Sequence, residues 1–424
     1  MSSAAFFSFA PAFAEPQGSP IRELFPYLSQ PGMISLAGGY PSPSLFDQQG
    51  LAAAAAQALA AGPAALQYGA TEGLPVLREQ LAAQCKGRGM ACEAADVLVT
   101  TGSQQGFDLL LRVLVQPGDA VCVETPAYPA TLAALRQAGA RVLSVPVDAD
   151  GLDVEALAGL LARTPAAQRP RLLYTVPSFS NPCGTLLTQQ RRERLVQLAL
   201  EYRLVVVEDD PYGELAFTGE RPAPLYACAQ RLAPKANPVV YLASLSKTVA
   251  PGLRVGWMVA DGAVLRRCTV AKQTVDLCTS PLAQSVAACY LQSGRYPQAV
   301  ARACAEYRRR MQALADGLAS ELQGLVSFVK PAGGMFVWAS FARSIDPQAL
   351  FQAAVARQVL YVPGKAFYAD APDLHTMRLS FAAPEVPQIE EAVRRLAAAM
   401  HNWGVSSINA PAIEDSAPLP MSRP

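Results

Sequence analysis

The sequence predicts an α/β protein: a large domain built on a mostly parallel, seven-stranded sheet between helices, followed by a smaller α+β domain. Three observations predict it. Between about residues 95 and 293, seven short apolar runs alternate with longer helical stretches. Several of those runs are near-continuously hydrophobic, as strands covered on both faces are. The chain has 424 residues, 51% of them hydrophobic, which is enough for two domains with a sizeable core.

The elements follow in order. Residues 1–30 form a weakly patterned arm with a short helix from Ile21. An alanine-rich helix covers about 51 to 61 and is stopped by Gly62-Pro63, and Gly73 to Gln84 forms another. Residues 31–60 are assigned to the N-terminal part of the small domain and 61–293 to the large domain. The seven strand runs are Val97 to Thr100, Ala120 to Glu124, Arg141 to Val145, Arg171 to Val176, Leu204 to Glu208, Val239 to Ser244 and Val255 to Ala260. Helices between them include Ser103 to Val115, Tyr128 to Ala138, Thr188 to Tyr202 and Leu282 to Gln292. Residues 294–401 form the rest of the small domain. A long helix runs from Gly294 to about Glu321, strands cover Val326 to Lys330, Met335 to Ala339, Val359 to Val362 and Thr376 to Phe381, and a final helix covers Pro387 to Met400. Residues 402–424 are rich in Pro, Ser and Ala without periodicity and are read as a disordered tail.

Composition excludes several classes. The formal net charge is +1 and no basic stripe appears, which argues against nucleic acid. The nine cysteines form no C-x-x-C pair and only two histidines are present, so no metal-ligand spacing exists. Free thiols suit a reducing cytosol, and a cytoplasmic location is expected. Phe6 to Ala14 ends in an A-x-A pattern, but no Lys or Arg precedes it and Pro11 interrupts it, unlike a secretory signal. No apolar run reaches the ~18–20 residues of a membrane span.

Four short segments carry the chemistry. Lys247 follows a strand run in Ser244-Leu-Ser246-Lys247-Thr-Val-Ala-Pro-Gly-Leu-Arg254-Val-Gly256. A lysine past the carboxyl end of a strand lies where open α/β sheets bind ligands, and a nearby cation or burial lowers its pKa enough for imine chemistry. Val205-Val-Val-Glu208-Asp209-Asp210-Pro211-Tyr212 brings a carboxylate to a strand end with a phenol three residues on. A carboxylate beside a ring nitrogen keeps it protonated, while Tyr212 and Asn181, in Asn181-Pro182-Cys183-Gly184, suit a ring oxygen. Thr100-Thr101-Gly102-Ser103-Gln104 follows a strand and opens a helix, where backbone N–H groups favour a phosphate. Taken singly, each has an ordinary alternative: a surface lysine beside serines, a helix cap at Asp209, a turn at Asn181-Pro182, an N-cap at Ser103.

Taken together, Ile34-Ser-Leu-Ala-Gly-Gly39-Tyr-Pro, Gln67-Tyr68-Gly69, Asn181-Pro182, Glu208-Asp-Asp-Pro-Tyr212 and the Ser244-to-Gly256 block occur in an order that resembles the class I/II aminotransferases, fold type I of the pyridoxal-phosphate enzymes. The resemblance covers roughly residues 20 to 400 and is greatest to the 2-aminoadipate/kynurenine subgroup. It implies pyridoxal 5'-phosphate as cofactor and transfer of an amino group from an L-amino acid (aromatic, 2-aminoadipate-like or aliphatic) to a 2-oxo acid such as 2-oxoglutarate or pyruvate. It implies that Lys247 bonds the cofactor aldehyde and shuttles the substrate Cα proton, and that Asp209 pairs with the ring nitrogen. Asn181 and Tyr212 then contact the ring oxygen, Tyr128 stacks on the ring, and Ser103, Gln104, Ser244, Ser246 and Arg254 bind the phosphate. Arg378, in Met377-Arg378-Leu379-Ser380, corresponds to the arginine that grips the substrate carboxylate, where a guanidinium suits a bidentate contact and a strand-edge surface arginine is the ordinary alternative; Gly38 and Gly39 bring backbone close to the substrate, and Arg22 contacts acidic or aromatic side chains. Tyr68 is expected to reach the phosphate of a neighbouring subunit, in a homodimer with shared active sites. A decarboxylase or β-lyase on the same fold is the alternative, and a regulator-derived effector-binding protein a more distant one.

Overall fold

The protein, described as a computed structural model, is placed over residues 7–15, 18–217 and 221–400. The tail expected at 402–424, Phe6 of the N-terminal apolar stretch and His401 lie outside the described residues. In chain order the strands are β1 (Ile34–Ser35), β2 (Val97–Thr100), β3 (Ala120–Thr125), β4 (Arg141–Asp148), β5 (Gly151–Leu152), β6 (Leu172–Thr175), β7 (Val205–Asp209), β8 (Val239–Ser244), β9 (Gly256–Val259), β10 (Val326–Phe328), β11 (Phe336–Phe341), β12 (Val359–Leu360), β13 (Val362–Pro363) and β14 (Thr376–Ser380).

The large sheet has the order β2-β9-β8-β7-β6-β3-β4-β5. The central run from β8 to β4 is parallel, while β9 lies antiparallel between β2 and β8. The seven expected runs are thus all strands, and β5 is an added two-residue antiparallel extension of β4, making eight. Valine and leucine fill β2, β6 and β8, which are buried along their whole length because helices cover both faces. Helices Val154–Arg163, Leu225–Leu232, Gly262–Val275 and Pro347–Ala356 add to those expected.

This topology gathers the chemistry-bearing ends. Asp209 ends β7 and Ser244 ends β8, and Gly256 at the start of β9 pairs with both Ser244 and Thr100 at the end of β2. The ends of β2, β7 and β8 therefore open on one edge, as do ligand sites of open α/β sheets.

The small domain carries the antiparallel sheet β10-β11-β14-β13 and the long helix Tyr296–Glu321 against Val386–Met400. The run expected at Val359 to Val362 divides: β12 pairs parallel with β1, whereas β13 joins β14. The 31–60 assignment needs correction. β1 does belong to the small domain, but helix Gln48–Ala60 packs on helix Pro281–Gln292 of the large one. Its Ala54 and Ala58 let the backbones approach and join the core of Leu77, Leu81 and Val99. The arm helix begins as a 3₁₀ turn, Arg22–Leu24, and continues as Phe25–Leu28. Among the described residues no helix is long and apolar enough to cross a membrane. All nine cysteines are unpaired.

Candidate active site

A cleft of about 330 Å³ opens between the domains at the edge where the strand ends meet. Every residue singled out from the sequence lines it except Tyr68, which is 78% exposed.

Lys247 reaches in from the loop after β8 and donates from Nζ to the Gly39 carbonyl at 3.0 Å. Burial, then the charges of Arg378 and Arg254, lower its pKa to about 8, against the opposing pull of Asp209. A fraction of the amine is therefore a free nucleophile near neutral pH.

Asp209 is buried across the cleft. Its Oδ2 accepts from the Tyr174 hydroxyl at 2.6 Å, and its Oδ1, also buried, has no hydrogen-bond partner among the described residues. Burial raises its pKa to about 6, opposed by hydrogen bonds from Tyr174 and Ser103 and by the Lys247 charge. One oxygen is thus held by the protein and the other is available to a ligand cation or N–H donor. Tyr174 was not anticipated. It lies on β6, whose parallel register sets Thr175 beside Glu208, and a buried tyrosine's need for a partner was the available signal.

The strand end that delivers Asp209 is fixed from behind. Arg192, fully buried, donates to Leu187 O (2.9 Å), Pro177 O (2.8 Å) and the Ser178 hydroxyl (3.0 Å), and pairs with Glu208 at 3.4 Å. It so holds both ends of the loop carrying Asn181. Glu208 also accepts from Leu225 and Tyr226 N–H, and burial raises its pKa to about 7.

Arg378 lies in an interior strand, fully buried, rather than at a strand edge. It donates from Nη1 to Asn181 Oδ1 at 2.8 Å and from Nη2 to Ala37 O at 2.6 Å, while its Nε is buried without a partner among the described residues. The guanidinium lies 4.4 Å from the Phe336 ring centroid. Its protein acceptors are neutral, and no ion pair compensates the charge among the described residues. A Cβ on Gly39 would stand 3.7 Å from Nη2, in the space in front of the guanidinium. Burial lowers the Arg378 pKa to about 10. Tyr212, buried and edge-on to Phe336, has its phenol pKa raised by burial.

At the far end, Gly102 (φ 80°) turns β2 into helix Ser103–Leu114. Arg254, itself left-handed at φ 52°, donates to Thr101 O at 3.2 Å and approaches the Ser246 hydroxyl at 3.4 Å. Ser244 Oγ accepts the Ser246 N–H at 3.1 Å. A Cβ on Gly256 would lie 2.6 Å from Gly102 C and Ser103 N, so only glycine lets β9 pass this turn. Helix-start N–H groups, hydroxyls and one guanidinium form an anion cradle. The cleft thus offers an amine, a buried carboxylate oxygen and an anion cradle, a set that suits a flat ring bearing an aldehyde and a phosphate.

A model of the family described as aminotransferase class I and II matches residues 37–396. The chain belongs to that family. The aromatic-amino-acid aminotransferase 1 of Thermococcus litoralis is 37% identical, over 90% of this chain and 91% of its own. The 2-aminoadipate transaminase of Thermus thermophilus is 40% identical, over 91% and 94%. The crystal structure of the alpha-aminoadipate aminotransferase of Thermus thermophilus, complexed with N-(5'-phosphopyridoxyl)-L-leucine, superposes with a TM-score of 0.85 at 38% identity, covering 93% of this chain and 97% of that one. This aminotransferase is a fold type I enzyme dependent on pyridoxal phosphate. The expected fold, activity and cofactor are all borne out.

Proposed function

We propose that the enzyme transfers the amino group of L-amino acids with aromatic or 2-aminoadipate-like side chains to a 2-oxo acid such as 2-oxoglutarate. The observation that carries this reading is Arg378: a fully buried guanidinium with no carboxylate partner among the described residues, in the same cleft as Lys247. A buried, uncompensated charge is costly unless a ligand anion meets it, and an amino acid's carboxylate does so.

Lys247 Nζ would hold the cofactor aldehyde, Asp209 Oδ1 the ring nitrogen, Asn181 and Tyr212 the ring oxygen, and Tyr128 a ring face. Ser103, Gln104, Ser244, Ser246 and Arg254 would hold the phosphate. When bound, the cofactor supplies the electron sink that lets an amino acid's Cα proton leave. Arg378 orients the carboxylate, and the space kept open at Gly39 admits it. Lys247 Nζ, once free, would take the Cα proton, and its lowered pKa suits that base role.

The wall beyond Arg378 is apolar, with Ile21, Leu24, Phe25 and Leu28 from the arm and Leu360 from β12. Arg22 stands at its rim, exposed and without a protein ion pair among the described residues. Such a wall accommodates an aromatic ring, and the rim cation suits a distal carboxylate. The names of the relatives, one acting on aromatic amino acids and one on 2-aminoadipate, support the same choice.

A homodimer with shared sites is part of the reading. Leu66 (69% exposed) and Tyr68 lie on the segment that packs on helix Pro281–Gln292, and both present apolar surface to solvent. A cytoplasmic location accords with nine unpaired thiols.

Steady-state turnover of a panel of amino donors against 2-oxoglutarate and pyruvate tests the substrate class. Aromatic amino acids and 2-aminoadipate should lead in kcat/KM, and Arg22→Ala should lower the acidic donors selectively. A preference for small donors such as alanine would refute it. Borohydride reduction of the holoenzyme followed by peptide mapping should label Lys247.

A further inference from the structure

Outside the cleft, Asp276 caps the end of helix Gly262–Val275. Its Oδ2 accepts from the Thr101 hydroxyl at 2.9 Å and from Gln105 Nε2 at 2.7 Å. Its Oδ1 accepts from Lys272 Nζ at 2.6 Å, a lysine whose side chain is fully buried. Gln105 closes the ring, its Oε1 accepting the Thr101 backbone N–H at 2.8 Å. Thr101 is therefore held by side chain and main chain at once, and its carbonyl receives Arg254.

The centre of this turn is Gly102, a residue whose backbone is free to take many conformations. Nothing in its own stereochemistry aims the following N–H groups. Gly256 forbids a bulkier neighbour but adds no directional bond. The Thr100 hydroxyl donates to the Gly102 carbonyl at 2.9 Å and Arg254 to the Thr101 carbonyl, while the bonds that fix the Thr101 side chain and N–H come from Asp276 and Gln105. Burial opposes ionisation of Asp276, yet hydrogen bonds from Lys272, Gln105 and Thr101 hold its carboxyl below the ordinary value.

We propose that Asp276, paired with Lys272 and acting through Gln105 and Thr101, is a positioning residue that pre-organises the Thr101–Gln104 turn for the cofactor phosphate. The inference rests on reading that turn as the phosphate site. A carboxylate near a dianion repels it, and Lys272 cancels that repulsion, leaving a neutral brace. The sign of its removal is therefore diagnostic. Asp276→Asn leaves the Lys272 charge unpaired. Coulomb attraction alone would then tighten phosphate binding, whereas loss of positioning loosens it.

The test compares dissociation constants of apo-enzyme for pyridoxal phosphate and for pyridoxal, which lacks the phosphate, by absorbance titration. Asp276→Asn should weaken the phosphate form about tenfold and pyridoxal less than twofold. Gln105→Met, which keeps the Lys272–Asp276 pair, should show the same selectivity, so the test survives if the first variant folds poorly. Tighter binding of the phosphate form, equal weakening of both ligands, or no change would overturn the proposal. Arg254→Met separates the two readings. If it loses the phosphate form selectively while the Asp276 and Gln105 variants do not, only the brace fails. If it too weakens both ligands equally, the assignment of the phosphate site itself falls.

Discussion

Replacing Arg378 with methionine tests the core of the active-site reading. The substitution keeps an apolar stem over Phe336 and removes a guanidinium whose only protein acceptors among the described residues are Asn181 Oδ1 and Ala37 O. Two charge-assisted hydrogen bonds to a substrate carboxylate would be lost, each contributing about 1.5–3 kcal/mol. Even the lower sum, about 3 kcal/mol, is roughly a 150-fold fall in kcat/KM. Stability should change less, because two acceptors lose their donor while an uncompensated buried charge disappears. The assay is the half-reaction, followed by stopped-flow absorbance of the bound cofactor, with an amino acid and with its decarboxylated amine. Wild type should favour the acid by about a hundredfold or more, and the variant by less than about threefold. The reasoning is refuted if the variant keeps the wild-type preference, or if it fails to retain pyridoxal phosphate.

Covalent capture of pyridoxal phosphate by apo-enzyme should rise with pH through a midpoint near 8, where Lys247 deprotonates. At pH 7.5 about a quarter of such an amine is free, against about 0.1% at the ordinary lysine value, so a midpoint near 10.5 contradicts the assignment. Gly256→Ala should drive a methyl into Gly102 and Ser103, destabilising the fold by about 1–3 kcal/mol and weakening cofactor binding, as read by thermal melts and titration. Glu124 is buried with its pKa raised to about 7 by burial, so the folded state binds its proton more tightly than the unfolded chain does. Its contribution is fully present below about pH 4.5 and lost as pH rises through 7. Glu124→Gln should therefore gain stability over wild type with increasing pH, up to about 3 kcal/mol by pH 8, and an unchanged difference between pH 5 and 8 would contradict this.

Much of the fold was legible because parallel strands buried on both faces read as short valine-rich runs. Val97 to Thr100 and Val239 to Ser244 have the ends expected of them. Lys247, Asp209 and Arg254 were legible because each lies within a few residues of a strand end, where local order fixes its placement. What escaped was set by long-range packing. Tyr174 meets Asp209 only through the β6–β7 register, and Arg192 braces the Asn181 loop by closing on carbonyls at both of its ends. Helix Gln48–Ala60 was given to the wrong body because its pattern of alanines records closeness to some neighbour without saying which. Tyr68 reads as functional in sequence, yet it is exposed and does not line the cleft.

The loop from Ser244 to Gly256 is a closed caliper. Its two ends are hydrogen-bonded to each other, and its jaws are Lys247 and Arg254. On the proposed assignment, the span between the grip on the aldehyde and the grip on the phosphate belongs to one body alone. Arg378 belongs to the other body, on β14. A rocking of the small domain would therefore change the hold on the amino acid, and through Asn181 one contact at the ring, while the spacing of the aldehyde and phosphate grips stays fixed.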